Sequence, residues 1–218
     1  MEKISAIIWD LDGTLYPNDS AYYNADFTAM AKIASSMGLM DFDAALSAAR
    51  KSEEEYGGTY EFLINDYGMT HDEIDAIFKK TIDLSFLAPN EGLIRGLRRC
   101  AMPMALYSDS PHYWIDDVLA RTGLAEFFAP YMRFTPEDFG LHKKGDGDND
   151  FREIVRRLDM PMSEVAYVEN TESKLVIPAR LGIVPVLLTG TSAYPVAPSV
   201  GYRGMTFDNA EGFLRTLN

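Results

Sequence analysis

The chain has 218 residues, 47% of them apolar, with 20 basic residues against 33 acidic ones and a formal charge of −13. That length suits one large domain, or a core with a smaller unit attached, and the apolar share excludes global disorder. The acidic balance excludes nucleic acid and anionic membranes as expected partners, and an anionic small substrate then needs positive charge concentrated at its site. The single cysteine, Cys100, leaves no intrachain disulfide and no cysteine-based zinc site. No stretch approaches a membrane span and MEKISAII carries no cleavable apolar leader, so a cytoplasmic protein is expected.

In chain order, the first element is a near-continuous apolar run, Ala6–Leu11, that runs into Asp10, Asp12, Gly13 and Thr14. Such runs suit a parallel sheet covered on both faces. From about Asp19 to Leu87 no strand is expected. Helices are predicted over Ala21–Met37, Phe42–Glu55, Thr59–Tyr67 and Asp72–Leu84, with Thr70-His71-Asp72-Glu73 as a capping box. Pro17-Asn18-Asp19-Ser20 leads in and Ala88-Pro89-Asn90-Glu91-Gly92 leads out. Beyond it come three more predicted strands, Met104–Ser108, Val165–Val168 and Val184–Leu188. Phe151, Ile154, Val155 and Leu158 mark an intervening helix by their i, i+3, i+4, i+7 spacing. Strands alternating with helices predict an α/β fold with a doubly wound parallel sheet, interrupted after its first strand by a helical insert. The expected core is 1–18 with 88–218, and the insert is 19–87.

In a parallel α/β sheet ligands bind at the carboxyl ends of the strands. Asp10 and Asp12, two apart, are expected on one face of the first strand. Two close carboxylates repel, so either one is protonated or a cation sits between them. Both arrangements suit phosphoryl transfer, in which one carboxylate attacks phosphorus and the other serves as acid and then base. The plainer alternative is that Asp-Gly-Thr is a turn. Ser108, at the end of the second strand, would hold phosphate oxygens, or else Ser108, Asp109 or Ser110 caps the next helix. Glu169 and Asn170, with Glu172 and Lys174 nearby, supply a metal ligand or a helix's acidic first turn. Lys143 or Lys144 would neutralise charge, unless both are solvated. Asp146, Asp148 and Asp150 are spaced like the start of a calcium loop, but Phe151 and Arg157 stand where that loop needs glycine and glutamate. His71, His112 and His142 share no spacing, and no glycine-rich dinucleotide motif follows a strand. Tyr22, Tyr23 and Phe27 in the insert either pack among themselves or face a substrate base.

This ordered set resembles the haloacid dehalogenase-like (HAD) hydrolase superfamily. Asp10-Leu11-Asp12-Gly13-Thr14 matches its first motif, Ser108 its second, Lys143 or Lys144 its third, and Glu169 with Asn170 or Glu172 its fourth. Within the family the chain is most similar to the pyrimidine 5′-nucleotidase subgroup, through Thr14-Leu15-Tyr16-Pro17, Tyr56-Gly57-Gly58-Thr59, Ser110-Pro111, Val118-Leu119 and Gly123-Leu124. Glu169 replaces the usual aspartate, Asn170 removes a charge, Asp109 replaces asparagine, and Gly145 replaces the proline after the lysine.

The resemblance implies a magnesium-dependent phosphomonoester hydrolase with an aspartyl-phosphate intermediate. Asp10 would be the nucleophile and Asp12 the acid and base. Gly13, Thr14, Ser108 and Asp109 would bind phosphate, and Lys144 or Lys143 would neutralise charge. Asp10, Asp12, Glu169 and Asn170 would hold Mg2+, and the insert would close as a cap. The expected substrate is a small phosphorylated metabolite, a nucleoside 5′-monophosphate before a sugar phosphate. A degenerate relative that binds such a ligand without turnover is the alternative from another class.

Overall fold

The computed structural model describes residues 3–56, 58–192 and 197–217. The chain divides into two compact units, one formed by 1–19 with 87–218 and the other by 20–86.

In chain order the elements are β1 (Ala6–Trp9), α1 (Ser20–Ser36), α2 (Phe42–Tyr56), α3 (Glu61–Tyr67), α4 (His71–Thr81), α5 (Glu91–Arg99), β2 (Met104–Tyr107) and α6 (His112–Thr122). They continue with β3 (Arg133–Phe134), α7 (Asn149–Leu158), β4 (Val165–Glu169), α8 (Val176–Leu181), β5 (Val184–Leu188), β6 (Met205–Phe207) and α9 (Ala210–Leu214). Short 3-10 turns fill several of the connections.

The larger unit is built on a six-stranded sheet, all parallel, in the order β3-β2-β1-β4-β5-β6. β1 is central, with Trp9 opposite Leu106 on one side and Val168 on the other. Alternate residues serve opposite faces. Ala6 and Ile8 join Ala105, Tyr107, Val165 and Tyr167 under the apolar stripe of α7, formed by Phe151, Ile154, Val155 and Leu158. On the other face Trp9 meets Phe213 of α9 in a T-shaped contact, with ring centres 5.9 Å apart. Covering both faces explains the unbroken apolar runs. Each large side chain so buried contributes about 1.5–3 kcal/mol.

The sheet has two strands that sequence periodicity does not predict. β3 is two residues long and β6 is three residues of partly exposed edge, too short to show a period. β1 and β2 each stop earlier than expected, at Trp9 and Tyr107, while β4 extends one residue further, to Glu169.

The smaller unit contains α1 to α4 around its own core. Phe27, Met30, Ala31, Ile33 and Ala34 of α1 pack with Ala45 and Ala49 of α2, whose small side chains let the helices approach closely, and with Phe62, Leu63, Met69 and Ile74. Asp26 accepts a hydrogen bond from the buried Thr59 hydroxyl at 3.0 Å. Tyr23 stacks on Phe27, and Tyr22 meets Tyr23 and Phe86 edge-on, so these aromatics pack within the unit. The capping box forms: Thr70 Oγ1 accepts from the Glu73 N–H, and Glu73 accepts from the Thr70 N–H. Gly57 of the Tyr56–Thr59 segment lies outside the described residues. Among the described residues no helix is long and apolar enough to cross a membrane.

Candidate active site

The strand order reverses on either side of β1: the chain goes outward through β2 and β3, then returns to place β4 against β1 on the other side. The crevice beyond the carboxyl ends at such a switch point is where open α/β sheets bind ligands. Asp10 follows the last residue of β1, and its N–H donates to the Val168 carbonyl at 3.0 Å, which keeps it in register. Glu169 is the last residue of β4. The two carboxylates therefore flank the crevice.

Lys144 joins them. Its ammonium donates to Asp10 Oδ1, to Glu169 Oε2 at 2.9 Å and to the Tyr107 carbonyl at 3.4 Å. All three ionic side chains are at least 95% buried. Lys144 also lies 5.8 and 5.7 Å from the ring centres of Tyr107 and Tyr167. Burial works against the lysine charge, but the two carboxylates outweigh it and hold the ammonium well above its ordinary range. Burial raises Glu169 too, yet Lys144 and Lys174 bring it below the usual carboxylate range. One ammonium cannot fully compensate two buried carboxylates. Asp10 takes the deficit, since burial first and the Glu169 charge second push it up to about 7, against the pull of Lys144 and Lys174.

Lys144, not Lys143, is thus the lysine that meets Asp10 and Glu169. The Lys143 side chain is exposed and its N–H is taken by Asp146 at 2.9 Å. Asp109 holds the Lys144 loop, with Oδ1 accepting from the Lys144 N–H at 2.7 Å and Oδ2 paired with the Lys174 ammonium. Burial raises Asp109, but those two lysines together hold it low. Its carboxylate is a tether for cationic groups, a different placement from the phosphate contact expected of it.

Asp12 stands past the end of the strand and meets different partners from Asp10. β1 ends at Trp9 and the chain turns at once, with the Thr14 and Leu15 N–H groups returning to the Leu11 carbonyl at 3.2 and 2.9 Å, so the two-residue strand period no longer applies. The Thr14 hydroxyl donates to Asp10 Oδ2 at 2.7 Å. Asp12 faces a separate set of donors: Ser108 Oγ at 3.1 Å, Ser110 Oγ at 2.8 Å, Trp114 Nε1 at 2.8 Å and the Tyr16 hydroxyl. These fill roughly all the acceptor sites of a carboxylate. Ser108 and Ser110 therefore serve Asp12, and α6 starts at a proline with no side-chain cap. Gly13 has φ +78°, and a Cβ there would collide with the Asn170 amide and lie 2.9 Å from Asn18 Oδ1. Only glycine meets both demands.

The four residues expected to hold magnesium do not present its donor set. Every carboxylate oxygen of Asp10, Asp12 and Glu169 already accepts at least one hydrogen bond, Glu169 Oε1 from the Asn170 and Thr171 N–H groups and Oε2 from Tyr167 as well as Lys144. Asn170 is neutral. Its side chain lies against the Asp12 carbonyl and Glu169 Oε1, and swapping the amide to turn its nitrogen toward them, at 3.2 and 2.9 Å, satisfies both ends of the group. Glu172 is turned away to the Ser199 N–H at 2.7 Å. Among the described residues no three His, Cys, Asp or Glu side chains form a metal-holding group. Magnesium demands near-ideal octahedral oxygen ligation, and these residues do not fit it.

Comparison with solved structures places the fold. A HAD-superfamily hydrolase of subfamily IA, variant 1, from Geobacter sulfurreducens superposes with a TM-score of 0.63 over 99% of this chain and 97% of its own, at 16% identity. The fold is that of the HAD hydrolases. A HAD family hydrolase from Deinococcus radiodurans R1, with bound phosphate and sodium, matches this fold at 16% identity and a TM-score of 0.58, covering 99% of this chain and 95% of that one. A 2-haloacid dehalogenase from Pseudomonas syringae pv. Tomato DC3000 matches at 16% identity and a TM-score of 0.61, covering 98% and 97%. In sequence, a Lacticaseibacillus casei protein described only as uncharacterized, in the fgs 3′ region, is 24% identical over 197 residues, 88% of this chain and 87% of its own. No family model matches the chain. The HAD likeness thus extends to the whole fold, while the pyrimidine 5′-nucleotidase subgroup finds no support among these proteins.

Tyr16, Ser110, Trp114 and Tyr167 complete the site without having been expected there. Tyr16 and Ser110 stood in the quoted motifs. Trp114 and Tyr167 carry no local signal, because their polar atoms find Asp12 and Glu169 only through the tertiary fold.

Proposed function

We propose that the protein is a phosphomonoester hydrolase that works through an aspartyl-phosphate on Asp10. The observation that carries this reading is the Asp10–Lys144–Glu169 cluster at the switch point, with Thr14 on the second oxygen of Asp10 and Asp12 a separate carboxylate two residues on.

Asp10 attacks phosphorus. The bond from phosphorus to the leaving oxygen breaks, and that oxygen takes a proton from Asp12. A water then attacks the same phosphorus, gives its proton to Asp12, and frees Asp10 and inorganic phosphate. The Lys144 charge offsets the negative charge that gathers on the transferring oxygens, the electrostatic contribution that dominates phosphoryl transfer. The Thr14 and Ser108 hydroxyls, which donate to Asp10 and Asp12 in the free protein, turn to phosphate oxygens in the complex. The helical unit 20–86 takes the role of cap and selects the substrate, a small phosphorylated metabolite.

The test is phosphate release from p-nitrophenyl phosphate and a panel of nucleoside and sugar monophosphates, with magnesium and with chelator, beside Asp10→Asn. Release that disappears in Asp10→Asn is expected, and a base preference within the panel would assign a nucleotide substrate. Folded protein that binds phosphate but releases none from any substrate would reduce the site to a binding module. Halide release from a 2-haloacid would move the reading to dehalogenation.

A further inference from the structure

We infer that the second cation of this site is the Lys174 ammonium, and that the protein binds phosphate without a divalent metal. The inference rests on the phosphoester reading above and specifies how that site is charged.

Three observations lead to it. First, the carboxylate oxygens that would face a metal are taken, by Lys144, Thr14 and Tyr167 and by the Asn170 and Thr171 N–H groups. Second, the Asn170 side chain sits against the Asp12 carbonyl and Glu169 Oε1, and its hydrogen bonding is satisfied there when the amide is swapped to turn its nitrogen toward both. A metal would have to displace a donor at each position. Third, a lysine reaches the site from the segment after β4, where Lys174 pairs with Asp109 Oδ2, whose other oxygen holds the Lys144 N–H. Asp109 thus ties both lysines to one side of the crevice. Their surroundings differ. The Lys144 side chain is 1% exposed and locked among fixed partners, whereas the Lys174 side chain is one-third exposed. An ammonium on a flexible stem can leave Asp109 and meet an incoming phosphate oxygen as a point charge. Lys144 is then the fixed charge beneath the phosphate and Lys174 the movable one at its rim.

The test uses the full chain and two titrations that do not depend on turnover. Mn2+ binding is followed by the electron paramagnetic resonance of the free ion, and inorganic phosphate binding by calorimetry in chelator and in excess magnesium. The wild type is expected to leave Mn2+ free and to bind phosphate equally in both buffers. Lys174→Met should weaken phosphate binding about tenfold or more, and Lys174→Arg should retain it. The double variant Asn170→Asp/Lys174→Ser, which adds a carboxylate and removes the competing ammonium, should gain saturable Mn2+ binding. Saturable Mn2+ binding by the wild type that disappears in Glu169→Gln would overturn the inference, as would phosphate binding that needs metal. If no phosphate binds under any condition, the phosphoester reading falls, and the Mn2+ titrations of the wild type and the double variant still decide the cation.

Discussion

Asp10, Lys144 and Glu169 form a buried set in which two carboxylates share one ammonium, so both depend on Lys144. Removing one member of a buried ionic pair leaves an uncompensated charge and costs about 3–5 kcal/mol. Lys144→Met should therefore destabilise the larger unit by about that amount in urea denaturation near neutral pH, and also abolish phosphate release. The pH dependence has a definite sign. The Asp10 carboxyl is raised to about 7 in the folded chain, so from about pH 4 to about pH 7 the folded state holds a proton that the unfolded state has lost, and stability falls as pH rises through that window. Glu169 is shifted the other way, so its contribution is present above its unfolded value and lost only at more acid pH, outside the window. Asp10→Asn should remove the slope, worth on the order of 2–3 kcal/mol between about pH 5 and pH 8. A wild type whose urea midpoint is flat over that range would show that Lys144 compensates both carboxylates. The sequence exposed Asp10, Thr14 and Glu169 because each stands at or near the end of an apolar run or in a matched motif, and it left Lys143 and Lys144 both open. It could not show that Asp12 has partners of its own, since Ser108, Ser110 and Trp114 reach it only through the tertiary fold.

At the scale of the element, local signals were legible in proportion to how much of the element they control. The capping box of α4 satisfies two orphan N–H groups from within four residues, and so Thr70 and Glu73 announce it without tertiary help. Thr70→Ala should lower the stability of the helical unit by about 1 kcal/mol, read from the thermal transition of that unit or from faster amide exchange in the first turn of α4. Unchanged exchange there would mean that Ile74, buried in the unit's core, fixes the start of the helix by packing alone. The stripe of α7 was legible for the same reason as the capping box. What it meets was not: Asp150 sits fully buried in its first turn, bonded to the Tyr107 hydroxyl at 2.6 Å. A sequence reading sees Asp146, Asp148 and Asp150 as one acidic run. The fold sends them to the Lys143 N–H, to Arg152 and to Tyr107 respectively. β3 and β6 were illegible because two or three residues cannot display a period, and they form only when a neighbouring strand offers an edge.

At the scale of the whole molecule, the formal charge of −13 sets a condition that the site must overcome. An anionic phosphoester approaches through a repulsive field, and the site answers with a buried lysine and a partly exposed one. These two effects have different ranges. The net field acts over tens of ångströms in dilute salt and is cut to a Debye length of about 8 Å at physiological ionic strength. The Lys174 charge acts at contact and is screened far less. Raising salt from about 20 mM to about 200 mM should therefore remove the repulsion first, and kcat/KM for a dianionic monoester should rise several-fold, carried by KM rather than kcat. The urea midpoint at the same two salt concentrations supplies the control, because it reports any salt effect on the fold. If kcat/KM for the dianion instead falls with salt, the local field of the lysines extends beyond the crevice and steers the substrate inward. Lys174→Met would then flatten the dependence, whereas repulsion by the distributed acidic surface would survive that substitution.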